Sequence, residues 1–186
     1  SVVRVEADST QRLWSFALDG TDPRLVLADV RPVGYHAWID DDLLALFVLG
    51  DPATLRIART DGGRARIAER DIGRSLQAAP GPRAVTFTQR LGDQWWIRRM
   101  DLVTRQITPA ARMQGEVEFH AWTPSGILLA GHGTGVWQWV NGGLGEWRVV
   151  VDLAEHGLGA VTRLAVSPDG RRLAVVVDRA PEDPSP

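Results

Sequence analysis

Short apolar runs, each ended by a polar turn, follow one another along the whole chain. The stretch VSPDGRRLAVVVD, residues 166–178, predicts a strand, a tight turn and a second strand. The runs are rich in Val, Leu, Trp and Phe, as β-strands are. The Pro and Gly residues between them supply the fixed or positive φ that a reverse turn requires. The best helix candidate, residues 81–99, contains Gly and β-branched residues, so the pattern predicts an all-β chain of antiparallel strands.

Two kinds of element alternate along the chain. The first kind closes with Asp or Asn in a turn, and these turns are 42, 40 and 40 residues apart. The second kind is centred on a turn that holds Asp or Pro, with spacings of 40, 44 and 44 residues. The turn residues are Asp19, Asp61, Asp101 and Asn141 in the first kind, and Asp40, Pro80, Pro124 and Pro168 in the second. Each period therefore holds four strands, and four antiparallel strands in ~40–45 residues form one blade of a β-propeller.

The repeat divides the chain into three complete blades with a partial blade at each terminus. The complete blades are predicted at residues 35–70, 76–112 and 117–153, and the partial ones at 2–28 and 162–178. The N-terminal piece supplies the last three strands of a blade, and the C-terminal piece supplies the first two strands of another.

These boundaries predict one truncated propeller domain over residues 1–178, followed by a polar tail at 179–186. The two partial blades are complementary, so they either close onto each other within one chain or complete a second copy about a two-fold axis. Because unpaired strand edges invite association, we predict a homodimer.

The repeat resembles that of a known family. FHAWTPSG (119–126) and AVSPDGRRLAVVVD (165–178) are similar to the W-S-P-D-G-x-x-I/L-A-F signature of TolB-like, or WD40-like (PD40), propeller repeats. The chain departs from this signature at two places. Asp40, Asp41 and Asp42 replace P-D-G in one blade, and APGP at residues 79–82 replaces S-P-D-G in another. The resemblance implies a fragment of a periplasmic or secreted propeller. It also implies a scaffold whose channel mouth or edge strands bind a protein, peptide or glycan.

Composition argues against several other classes of protein. The chain carries 21 basic and 23 acidic residues, a net charge of −2, with no basic block. This argues against a nucleic-acid partner, because such proteins usually carry a basic stripe. No apolar run approaches the ~18–20 residues of a membrane helix, so no membrane span is predicted. Cysteine is absent, which excludes disulfides and thiol catalysis.

Eight tryptophans are many for a chain of this size. Trp38 and Trp122 occupy the same repeat position, and so do Trp14 and Trp96. Packing between neighbouring sheets explains these four. The sequence leaves open what the other four do, namely Trp95, Trp137, Trp139 and Trp147.

The histidines are the candidate metal-binding and catalytic residues. His36 and His120 both stand in HAW, two blades apart, and Glu116 and Glu118 alternate with His120 on one strand face. The hairpin around Pro124 should bring His132 back close to Glu118. His with a carboxylate is a zinc-type ligand set.

Two functions therefore stay open. In one, the HAW histidines only form hydrogen bonds in a tight repeat position, and the chain is a binding scaffold. In the other, His36, His120 and His132 ligate a zinc ion in the channel or at a dimer interface, with Glu118 as fourth ligand or general base. Zinc-bound water would then attack activated esters or phosphoesters.

Overall fold

The computed structural model describes residues 1–62, 64–81, 83–115, 118–140 and 145–179. The described strands form five antiparallel sheets, which follow one another in chain order. The first sheet holds β1 (Val2–Val5), β2 (Gln11–Ser15) and β3 (Arg24–Leu25); the second holds β4 (Val33–Trp38), β5 (Leu43–Val48), β6 (Thr54–Arg59) and β7 (Arg66–Arg70); the third holds β8 (Ile72–Ala78), β9 (Ala84–Leu91), β10 (Gln94–Asp101) and β11 (Ile107–Arg112); the fourth holds β12 (His120–Trp122), β13 (Leu128–His132), β14 (Gly135–Val140) and β15 (Glu146–Asp152); and the fifth holds β16 (Val161–Val166) and β17 (Leu173–Val177).

The predicted blade pattern is confirmed. The second, third and fourth sheets are four-stranded meanders within a few residues of the predicted bounds, and the terminal sheets have three strands and two. A short 3₁₀ helix, Leu153–His156, follows β15. No helix in the described ranges has both the length and the apolar character needed to cross a bilayer. Residues 180–186 of the predicted tail lie outside the described residues.

The core consists of apolar layers between successive sheets. Strand β5, with the sequence LLALFV, is buried along its whole length. Its side chains alternate between two layers: Leu44 and Leu46 pack toward the first sheet, while Ala45 and Phe47 pack toward the third. A strand covered on both faces is apolar throughout rather than at alternate positions, which explains why this run shows no polar face in the sequence.

Aspartate side chains fix the turns between strands. Asp19 Oδ1 accepts a hydrogen bond from Thr21 N at 3.0 Å, and Asp101 Oδ1 accepts one from Val103 N at 2.9 Å. Such local bonds to the backbone stabilise a turn conformation. Turn geometry therefore explains Asp19 and Asp101. Asn141, the fourth residue of this series, lies outside the described residues.

The terminal sheets do not join each other among the described residues: β1 is hydrogen-bonded to β2 and β16 to β17, with no ladder between the two sheets. Closure of 162–178 onto 2–28 is thus not formed. Instead, Arg163 of β16 reaches the second sheet, where its Nη2 donates to Tyr35 Oη at 3.1 Å. The same guanidinium lies 4.2 Å from the ring centroid of Phe119. The first strands of the second and fifth sheets are therefore linked through Arg163 and Tyr35.

Candidate functional site

His120 lies between the third and fourth sheets and is 1% exposed. Its Nδ1 is 2.8 Å from Ser75 Oγ and its Nε2 is 2.9 Å from Thr86 Oγ1. Burial lowers the pKa of His120 to about 3, so the ring is neutral at pH 7. A neutral imidazole offers one donor and one acceptor nitrogen, and the two hydroxyls occupy both. His120 thus holds two sheets together and does not face an open channel.

His36 occupies the same repeat position at the junction of the first and second sheets. Its Nε2 lies 2.8 Å from Ser1 Oγ, and Trp38 Nε1 donates to the same oxygen at 2.9 Å. His120 and Trp122 share Thr86 Oγ1 in the same way, because Trp122 Nε1 donates to it at 2.9 Å. In both HAW copies, one hydroxyl bridges the imidazole and the indole. The hydrogen-bonding alternative is therefore the arrangement present in the structure.

Glu118 and His132 have other partners. The β12–β13 ladder pairs His120 with Ala130, a register that would place Glu118 opposite His132 only if the ladder continued for two more residues. However, β12 begins at His120, and Glu118 Oε2 instead accepts a hydrogen bond from Arg74 N at 3.0 Å. Glu116, on the same predicted strand face, lies outside the described residues.

The predicted zinc ligands are not gathered into one cluster. In the described part of the chain, no three His, Asp or Glu side chains lie close enough together to hold a metal ion. His36 bonds to the Ser1 hydroxyl and His120 bonds to two hydroxyls of the third sheet. His132 is exposed, with its ring edge-on to Trp137 at 6.2 Å. The zinc site stays a prediction, and it requires these side chains to leave their present partners.

A larger site lies on the outer strands of the third and fourth sheets, where a groove of about 1110 Å³ separates β10 and β11 from β14 and β15. We call it the tryptophan groove. Its aromatic and apolar lining includes Trp96, Trp137, Trp139, Trp147 and Met113, and its polar lining includes Gln94, Arg112, Gln114, His132 and Glu146. Three of the tryptophans that the sequence left unexplained thus share one surface with Trp96.

Packing and hydrogen bonds fix the groove walls. Trp139 and Trp147 meet edge to face with ring centroids 5.2 Å apart. Trp147 Nε1 donates to Arg112 O at 2.6 Å, which ties β15 to β11 across the base of the groove. Gly145 has a φ of +68°, and a Cβ at this position would overlap the Trp139 ring. The glycine is therefore required both by the turn and by the close approach of the indole.

The groove is polar but nearly uncharged. Its charged lining residues are Arg112 and Glu146, and Glu146 is already paired with Arg148, whose Nη2 lies 2.5 Å from Glu146 Oε1. Within the described residues, the indole N–H groups of Trp96 and Trp139 have no hydrogen-bond partner. The groove can therefore offer a ligand an aromatic surface and two free hydrogen-bond donors. It has no strong positive or negative electrostatic potential.

Sequence reasoning missed this groove as a site. The available signal was VWQWV in β14, where Trp137 and Trp139 are two residues apart and so point to the same face of the strand. Which residues face them from the third sheet depends on how the two sheets pack.

Comparison with known proteins identifies the fold. No protein-family model matches the sequence, and no curated protein does. Among solved structures, TolB from Acinetobacter baumannii matches with a TM-score of 0.72 at 20% identity, over 93% of this chain and 44% of TolB. A structure described as a gluconolactonase-like protein matches with a TM-score of 0.61 at 17% identity, over 90% of this chain and 70% of that one. This chain thus spans less than half of TolB, and the likeness shows a β-propeller arrangement of blades.

Proposed function

We propose that this chain is a binding module of a propeller protein, and that its tryptophan groove binds an extended, largely uncharged peptide segment of a partner. The observation that carries the proposal is the convergence of four tryptophans from two sheets on one groove of about 1110 Å³. Tryptophan is enriched among the residues that dominate the energy of protein interfaces.

The dimensions and chemistry of the groove support a peptide. Its volume of about 1110 Å³ lies just above the ~300–1,000 Å³ that small-molecule pockets span, which suits a longer ligand that runs along the groove. Aromatic walls with free indole N–H donors suit the apolar side chains and backbone carbonyls of an extended or polyproline-type segment. The nearly neutral lining disfavours a strongly charged ligand.

The zinc-dependent hydrolase alternative has less support from the geometry, because no three His, Asp or Glu side chains of the described residues lie close enough together to hold a metal ion. Ser75 and His120 stand at the distance of a nucleophile and its base, but Ser75 is 3% exposed and His120 is 1% exposed. A substrate would have to displace the interface between two sheets to reach them. If zinc nevertheless binds as the sequence predicts, chelation of the purified protein will lower its Tm and abolish any hydrolysis of activated esters.

The experiment is selection from an unbiased displayed peptide library on the purified chain, followed by affinity measurement on two matched variants. Trp96→Ala removes one wall of the groove. Trp14→Ala removes the tryptophan at the same repeat position of the first sheet, outside the groove. Truncating a tryptophan that is a hot spot of an interface costs about 2 kcal/mol or more, so we expect Trp96→Ala to weaken binding of the selected peptides about 30-fold.

The control variant must bind those peptides with the wild-type affinity. The proposal is contradicted if no peptide is enriched, or if both variants bind the enriched peptides as the wild type does. A parallel screen on immobilised glycans tests the other ligand class: binding there that is lost in Trp96→Ala would keep the groove as the site but replace the peptide with a carbohydrate.

A further inference from the structure

A second recess, of about 530 Å³, lies between the second and third sheets, away from the tryptophan groove. Its floor is apolar, with Leu43, Ala58 and Met100 buried beneath it. At its rim, Ile67 keeps 46% of its surface exposed. Arg66 precedes Ile67 in β7 and also lines the recess, so the recess joins an apolar floor to a charged edge.

Four arginines lie at the edge of the recess, and only one of them forms an ion pair within the described residues. Arg59 is already paired with Asp42 and Asp61. Arg64, Arg66 and Arg105 also line the recess, and none of them forms an ion pair with a carboxylate of the described residues. Three guanidinium groups around one recess repel one another unless an anion lies between them.

Arg105 is held at the edge by a rigid turn. Its φ is +64°, a conformation that non-glycine residues seldom adopt. Asp101 fixes the turn: its side chain accepts hydrogen bonds from Val103 N and Thr104 N, and its carbonyl accepts one from Arg105 N at 2.8 Å. The Arg105 backbone is therefore positioned without help from its own guanidinium, which is left free for a ligand.

We propose that this recess binds a single-chain amphiphile with an anionic headgroup. The alkyl chain covers the apolar floor and the exposed Ile67, and a phosphate, sulfate or carboxylate headgroup lies among Arg64, Arg66 and Arg105. Guanidinium groups are well suited to such oxyanions because each can donate two parallel hydrogen bonds. The apolar floor distinguishes this ligand from a free inorganic anion, and the three unpaired cations distinguish it from a neutral lipid.

The probe is octyl phosphate, used below its micellar concentration and compared with octyl glucoside and inorganic phosphate. Calorimetric titration gives the stoichiometry and Kd, and thermal unfolding reports the sign of the stability change. A ligand of the native state raises Tm, whereas one that binds the unfolded chain lowers it. We expect one molecule of octyl phosphate per chain, a raised Tm, and at least tenfold weaker binding of the other two compounds.

Variants locate the site. Arg66→Gln and Arg105→Asn each remove one cation, and Asn tolerates the positive φ at position 105. Each should weaken octyl phosphate at least fivefold, while Arg90→Gln, at an exposed position of β9 outside the recess, should not. Equal binding of octyl glucoside, equal binding of inorganic phosphate, a lowered Tm, or unchanged affinity in both recess variants would each overturn the proposal.

Discussion

Acidification should destabilise this protein through one histidine, and the size of the effect follows from the structure. The pKa of His120 falls from 6.5 to about 3 on burial. Between these two values the unfolded chain binds a proton at this residue and the folded chain does not. Stability therefore decreases as the pH falls from 6.5 toward 3, by at most about 1.4 kcal/mol per pH unit.

Between pH 7.5 and pH 5 this amounts to about 2 kcal/mol from His120 alone, a large part of the roughly 5–15 kcal/mol that stabilises a typical domain. The matched variant is His120→Leu, because the aligned positions of the third and fifth sheets already carry Leu76 and Leu164. Leucine does not titrate, so the variant should lack this part of the pH dependence while every other group contributes equally to both proteins.

The assay is urea unfolding followed by tryptophan fluorescence at pH 7.5, 6 and 5. The free energy of unfolding should fall more steeply in the wild type than in His120→Leu, with a difference of about 2 kcal/mol over this range. His36→Leu serves as the control, since His36 is only half-buried and its pKa is lowered by burial to a lesser extent. Parallel pH profiles for wild type and His120→Leu would refute the argument, because they would mean that His120 is protonated as readily in the folded chain as in the unfolded one.

Three further predictions follow from other parts of the structure. Gly145→Ala should destabilise the fold by about 2–4 kcal/mol, because the added methyl group overlaps Trp139 and alanine is strained at a positive φ. Gly133→Ala should cost only about 1 kcal/mol, because its φ is also positive but the space around it is open. Urea unfolding of both variants measures the difference. Arg163→Met should lower the free energy of unfolding by about 1 kcal/mol, since it removes the contact with Phe119, and an unchanged urea midpoint would contradict this. The predicted homodimer should give a concentration-dependent mass in analytical ultracentrifugation that approaches twice 20.4 kDa, and a constant mass of one chain would show that no dimer forms.

The fold was predictable because its signal is local and repeated. The turn residues of the series that contains Asp19 and Asp101 recur every 40–42 positions, and these two are explained by hydrogen bonds within their own turns. Such spacing identifies four-stranded blades before any contact between blades is known. The run of β5 shows no alternation in the sequence because both of its faces are buried against neighbouring sheets.

The candidate site was less predictable because it depends on contacts between repeats. His120 looked like a metal ligand in the sequence, but its partners Ser75 and Thr86 come from the preceding blade, 45 and 34 residues away. Likewise, Trp96 matched Trp14 in the repeat, yet only Trp96 lies opposite further tryptophans. Neither distinction can be obtained from one period of the sequence, since it depends on how adjacent sheets are packed.

Hydrogen–deuterium exchange with and without a selected peptide tests the central claim most directly. The claim predicts slower exchange on peptide binding in the segments that line the tryptophan groove, residues 109–115 and 145–147, and no change in β4 and β16, which contribute no residue to its lining. Protection confined to β4 and β16, with the groove segments exchanging as in the free protein, would contradict the claim and place the binding site at the channel.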